Sequence, residues 1–164
     1  MATDAITVAR PAPAALARLL ALGVPAALLA GAYLSQFVGG LHPCEMCYWQ
    51  RWPHFAAVGL AALAFLFAAP RRNARLLTGL AALAIAASGA IGVFHAGVEY
   101  GWWEGLTRCS SGGAMTLEDI MAVPLVRCDE VQFSFLSVSM AGWNAVLSLG
   151  SATLIAVLLK RASA

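Results

Sequence analysis

The chain has 164 residues, of which 61% are hydrophobic and 11% charged, and its mean hydropathy is +0.79. Soluble domains are about 45–50% apolar and about 25% charged, so this composition excludes an ordinary soluble domain and points to an integral membrane protein. The net charge of +2 gives no reason to expect a nucleic-acid partner; where the charges lie is more informative than their sum.

A bilayer core takes about 20 helical residues. Four uncharged stretches approach or exceed that length: Leu19–Val38, Trp52–Ala69, Leu76–Val98 and Met140–Leu159. They predict spans at about 19–38, 50–69, 76–98 and 140–159. Their Leu, Ala, Ile and Val content suits helices, and barrel-type alternation is absent. Pro25 is expected to kink the first span. A cleaved signal peptide would leave three spans, but the apolar run is longer than a usual signal core.

The one long polar segment covers about 99–135. Within it, Thr116-Leu117-Glu118-Asp119 reads as a helix start, and Leu117, Ile120, Met121 and Leu125 supply an apolar edge. A short helix lying on the membrane surface would fit that pattern, as would an ordinary loop. Short turns join the first three spans, and no repeat or linker is evident, so one domain over 1–164 is expected. The expected fold is all-α: an integral membrane four-helix bundle with a long extracytoplasmic loop carrying a short surface helix.

Charge position orients the bundle. The N-terminus, the Pro70–Arg75 turn and the C-terminus hold Arg10, Arg18, Arg71, Arg72, Arg75, Lys160 and Arg161 against one acid, Asp4. The other side holds Arg51, Arg108 and Arg127 against Glu45, Glu99, Glu104, Glu118, Asp119, Asp129 and Glu130. Lys and Arg prefer cytoplasmic loops, so both termini are expected in the cytoplasm. Trp49, Trp52, Trp102, Trp103 and Trp143 then form one aromatic belt at the far interface. All four cysteines fall on that side, where disulfides persist.

Those cysteines form a tight pair and a loose pair. Pro43 precedes Cys44, and proline suits a first helical turn, which puts Cys44 at the N-terminus of the second helix. The free amides and dipole there favour a thiolate. Cys44, Cys47, Arg51 and His54 share one helix face. A polar stripe on a membrane helix is expected to face the bundle interior. Zinc would need four ligands, and a second CxxC or a His pair is missing. Arg51 at a helix end can also simply snorkel to the interface. His54 is expected to pack or hydrogen-bond within the bundle, and His95 stands near the same end of the third span.

The loose pair, Cys109 and Cys128, lies in the polar segment. Closing that loop as a structural staple would contribute about 3 kcal/mol. Its exposed setting also suits exchange with another protein's thiolate. A relay between the two pairs needs an electron sink, and a lipid-soluble quinone is the natural two-electron acceptor beside an intramembrane CxxC. Arg51 would hydrogen-bond a quinone oxygen and stabilise the charge that develops on reduction.

Pro43-Cys44-Glu45-Met46-Cys47 opening the second span, Arg51 downstream, the loop cysteines, and Phe133-Ser134-Phe135-Leu136-Ser137-Val138-Ser139-Met140 entering the fourth span resemble, over nearly the whole chain, the disulfide bond formation protein B family, DsbB, of bacterial inner-membrane thiol oxidases. The resemblance implies a protein-disulfide:quinone oxidoreductase. Cys109 would form the mixed disulfide with a periplasmic DsbA-like oxidase, and Cys128 would be its disulfide mate. Cys44 would exchange with the loop pair. Cys47 would face ubiquinone, with menaquinone as the alternative, as a charge-transfer thiolate. Arg51 matches the family's quinone-side arginine, and His95 sits about where the family has a histidine near the quinone.

Three departures stand out. Ser137 occupies a place usually held by glycine. The loop between Cys109 and Cys128 is shorter than in the family's best-known member. Glu45 sets a negative charge between the cysteines, which would raise both thiol pKa values. A paralogue dedicated to one substrate oxidase is therefore an alternative. So are a membrane b-type haem carrier using His54 and His95, and a scaffold with a structural loop disulfide. A vitamin K epoxide reductase-like enzyme fits less well, because that family carries its CxxC near the last helix.

Overall fold

The computed structural model describes residues 12–67, 71–106 and 126–162. Four helices account for most of them: α1 (Pro13–Phe37), α2 (Glu45–Leu66), α3 (Arg71–Glu99) and α4 (Met140–Arg161). The expected bundle is present. Three of the helices, α1, α3 and α4, are long and apolar enough to cross a membrane. The remaining one, α2, is 22 residues long but opens with Gln50, Arg51 and His54 among its buried residues. The segment expected to carry a surface helix, 116–125, lies outside the described residues, as does Cys109.

Local chemistry sets the ends. Pro13 occupies the first turn of α1, where its missing N–H is no loss. Cys44 is the N-cap of α2, its sulfur accepting from the Cys47 amide. Pro43 therefore lies just outside the helix rather than in its first turn. Ser139 caps α4 by accepting from the Gly142 amide, and Lys160 and Arg161 face the negative end of that helix. Pro25 stays buried inside an unbroken α1.

The helices form a ring in which α1 packs on α2, α2 on α3, α3 on α4, and α4 on α1. Toward one end the core is built largely of alanine: Ala17, Ala21, Ala57, Ala61 and Ala81 are fully buried beside Ile85 and Ile155. Small side chains let membrane helices approach closely, and dispersion then holds them. Large apolar residues such as Leu34, Leu66 and Leu83 point outward, as a lipid solvent allows. At the other end the core changes character. Cys44, Met46, Val98 and Cys128 are buried together there, with Cys47 and Phe94 packed against them.

Two backbone features shape that end. A Cβ on Gly92 would stand 3.0 Å from the Ala141 carbonyl oxygen and 3.1 Å from the Ala145 nitrogen, so α3 lies directly on α4 at this point. Before α4, Ser134–Phe135 pairs antiparallel with Val138–Ser139 across a two-residue turn. Leu136 and Ser137 occupy that turn with φ of 51° and 63°. Both central residues of such a hairpin turn are left-handed, the conformation that favours glycine. Ser137, where the resemblance implies glycine, is thus at a left-handed position.

A left-handed L-residue costs about 1–2 kcal/mol, partly offset by the greater chain entropy of glycine when unfolded. Ser137→Gly is therefore expected to stabilise the protein by roughly 0.5–1 kcal/mol. Thermal unfolding in detergent micelles would read this as a raised Tm.

Candidate functional site

The site is built on the first turns of α2. Because Cys44 caps the helix and Cys47 follows one turn later, their sulfurs stand 3.0 Å apart, with Cys44 donating. Cys44 is 4% exposed and Cys47 is half-buried. Both are thiols, whereas Cys128 is disulfide-bonded and 1% exposed. The sulfurs of Cys44 and Cys128 and a ring nitrogen of His95 lie within 4.8 Å of one another. Three such atoms can suit an ion, but a disulfide sulfur is a poor ligand and His95 is already engaged.

The cysteines lie ahead of the uncharged stretch that begins at Trp52. Their mutual hydrogen bond splits their acidities. Accepting from Cys44 holds the Cys47 thiol below the ordinary range, while donating, together with burial, pushes Cys44 above it. The carboxylate that opposes a Cys47 thiolate is Glu99 on α3. The Glu45 carboxylate, expected to play that part, is exposed, and Cys47 is not held high.

The expected polar stripe faces inward. Cys44, Cys47, Arg51 and His54 all line one cavity of about 260 Å³. Arg51 turns toward α1, where it donates to Gln36 Oε1 at 2.6 Å and to the Ala32 carbonyl at 3.3 Å. Its guanidinium lies 4.9 Å from the Tyr33 ring centre and 5.3 Å from that of Tyr48. Aromatic faces of this kind stabilise a cation. Among the described residues no carboxylate pairs with Arg51. A buried cation without an anion is costly, and three of its five N–H groups remain for a ligand.

His54 and His95 are both buried, and both belong to a network that the spacing rules do not reveal. His95 Nδ1 is 2.8 Å from Gln50 Nε2, and His95 Nε2 is 3.5 Å from the Cys44 sulfur. Asn144 on α4 donates to Gln50 Oε1 at 2.8 Å and to the Ser88 carbonyl at 3.2 Å. His54 Nε2 lies 2.9 Å from both Asn144 Oδ1 and Ser88 Oγ. Ser148 donates to Asn144 Oδ1 at 3.0 Å. Gln50, Ser88, Asn144 and Ser148 join three helices and were not among the expected site residues. Their one sequence signal is that they are polar residues inside or beside apolar spans.

A dithiol on a buried helix cap, beside a disulfide and a buried arginine, defines a helical membrane protein equipped for thiol–disulfide redox chemistry. Comparison with known proteins agrees. The family model described as disulfide bond formation protein DsbB matches residues 14–158. The chain is 32% identical over 141 residues to a disulfide bond formation protein B of Azoarcus sp., covering 80% of this chain and 83% of that one. It is 34% identical over 165 residues to the protein of the same name from Polaromonas naphthalenivorans, covering 92% and 95%. No solved structure matches. The chain belongs to the DsbB family of disulfide bond formation proteins.

Thiolates, not thiols, are alkylated. In protein reduced only at the helix pair, iodoacetamide is expected to modify Cys47 about tenfold faster than Cys44, since one pKa unit is a tenfold change in thiolate. Peptide mass spectrometry after short exposures resolves the two sites.

Proposed function

We propose that the protein is a thiol oxidase of the bacterial inner membrane that reoxidises a periplasmic DsbA-like dithiol protein and passes the electrons to ubiquinone. The observation that carries this reading is the juxtaposition of sulfurs. Cys44 and Cys128 are within 4.8 Å and Cys47 is 3.0 Å from Cys44. A disulfide can therefore migrate between the loop and α2 without large motion. With the positive-inside rule, this end of the bundle faces the periplasm and both termini face the cytoplasm.

The exchange balances as follows. A partner thiolate attacks Cys109 of a Cys109–Cys128 disulfide and frees Cys128. The partner's second thiol then attacks the mixed disulfide, leaving the partner oxidised and the loop pair as thiols. Cys128 next attacks Cys44 of a Cys44–Cys47 disulfide, and Cys47 departs as the lower-pKa thiolate, the better leaving group. Cys109 resolves the Cys44–Cys128 bond and re-forms the loop disulfide. Two electrons then reside on Cys44 and Cys47 as thiols. Cys128 disulfide-bonded beside free Cys44 and Cys47 supports such an exchange.

The cavity fits a quinone head group. At about 260 Å³ it is close to the roughly 300 Å³ lower bound of small-molecule sites. Leu28, Leu29 and Met140 give it apolar walls, and Cys47, Arg51 and His95 open onto it. A bound quinone would supply the two-electron acceptor. Arg51 would hold an oxygen of the ring and balance negative charge there. Cys47 would present its thiolate from α2, and His95 would stand behind Cys44. A haem is less well served, because both nitrogens of His95 already have neighbours.

Turnover is followed as bleaching of ubiquinone by purified protein with a reduced DsbA-like partner. Cys44→Ser is expected to abolish it, and retained turnover would sink the mechanism. Arg51→Leu is expected to lower the rate about 10²-fold, the usual cost of losing a donor aimed at developing charge. Cys128→Ala removes the loop disulfide that a partner thiolate attacks, so it is also expected to abolish turnover.

A further inference from the structure

Buried amides are informative because main-chain carbonyls can only accept. Gln50 Nε2 lies 3.2 Å from the Met46 carbonyl, so this end of the side chain is the NH2. Asn144 Nδ2 lies 3.2 Å from the Ser88 carbonyl, so the same holds there. Both orientations are thus assigned by groups outside the pair. They also agree with each other, since Asn144 Nδ2 meets Gln50 Oε1 at 2.8 Å.

The remaining directions follow. Asn144 Oδ1 must accept, so the nitrogen of His54 facing it at 2.9 Å, Nε2, carries a proton. Gln50 Nε2 must donate, so His95 Nδ1 at 2.8 Å is an acceptor and carries none. The proton of a neutral His95 is then on Nε2, facing the Cys44 sulfur at 3.5 Å. That nitrogen also has Glu99 Oε1, an acceptor, at 3.8 Å, and the His95 ring hydrogen-bonds to the Cys128 main chain. Cys44 in turn donates to Cys47 at 3.0 Å.

The geometry points to a single-direction donor series, His54 to Asn144 to Gln50 to His95 to Cys44 to Cys47, in which Asn144 and Gln50 are positioning residues that fix the tautomer of His95 and thereby favour negative charge on the Cys47 sulfur. Aligned hydrogen bonds polarise one another, most strongly where water is excluded. Every link donates toward the α2 pair, so the series stabilises an anion at its far end. The inference deepens the proposed function, because Cys47 is the leaving sulfur in that reading. Charged groups elsewhere around the cavity are Arg51 on α2, Glu99 on α3, and Arg127 and Glu130 ahead of α4. None of them belongs to the series.

The test uses full-length, fully reduced protein in micelles, without quinone or partner, labelled with 15N-histidine. His42 and His54 resonances are assigned by substitution. His95 is expected as the Nε2–H tautomer with a hydrogen-bonded Nδ1. Gln50→Met and Asn144→Leu are both expected to move the Nδ1 resonance to its unbonded position. Both are also expected to raise the pH midpoint of Cys47 alkylation by about one unit, a tenfold loss of thiolate below it. An Nδ1–H tautomer in the unsubstituted protein overturns the proposal. So does an Asn144→Leu protein that folds and leaves both readouts unchanged. If that variant does not fold, Gln50→Met decides by the same two readouts. Loss of quinone turnover with these readouts intact would count against the proposed function alone.

Discussion

Everything at the cysteine end depends on keeping polar groups satisfied without water. A membrane interior offers no solvent partner, so a buried donor or acceptor without one in the protein is costly. Among the described residues, seven buried polar side chains, Gln50, Arg51, His54, Ser88, His95, Ser139 and Ser148, gather within this end of the bundle. Helix packing is what allows them to meet. The close approach of α3 and α4 at Gly92 puts Asn144 beside the Ser88 carbonyl. From there Asn144 reaches Gln50 on α2. A bulkier residue at position 92 would open that contact and leave several buried groups without partners, each at a cost of about 1–3 kcal/mol.

The two ends of the bundle divide the work. One is an alanine-lined seam whose purpose is close packing. The other is a cavity walled by leucine and methionine, with sulfur, imidazole and guanidinium opening onto it. Arg51 marks the boundary. Two tyrosine faces, Gln36 and one carbonyl stabilise it, and among the described residues no carboxylate neutralises it. A carboxylate there would lower the cost of burial, but it would also cancel the positive field in the cavity. An uncompensated cation is an expensive feature in a membrane protein, which makes it a functional one by default.

Legibility followed the range of the interactions. The four helices were readable because uncharged runs of spanning length have few other interpretations in so apolar a chain. The inward face of α2 was readable because positions 44, 47, 51 and 54 recur at helical spacing within one element. Gln50, Ser88, Asn144 and Ser148 were not, since their partners on other helices lie 34 to 94 residues away and only the bundle brings them together. Glu45 misled for a related reason. Adjacency in sequence suggested that it governs the cysteines, yet it points outward and Glu99 on α3 is the carboxylate that acts on Cys47. Pro43 was misplaced by one residue, because a cysteine sulfur rather than a hydroxyl serves as the helix cap.

That cap is where the physical arguments converge. A thiol at an N-cap would ordinarily be the acidic member of a CxxC, since it meets the free amides and the positive end of the dipole. Cys44 does receive the Cys47 amide, at 3.3 Å. It is also buried and donates its own proton to Cys47. Burial penalises charge on the inner sulfur, and the hydrogen bond transfers the benefit to the outer one. Of the two, the half-buried Cys47 is therefore the more acidic thiol, and Cys44, beside the Cys128 disulfide, the less acidic. With its acidity lowered, Cys44 is the weaker nucleophile of the pair. Cys47, the more acidic thiol and a lining residue of the cavity, is the more reactive one.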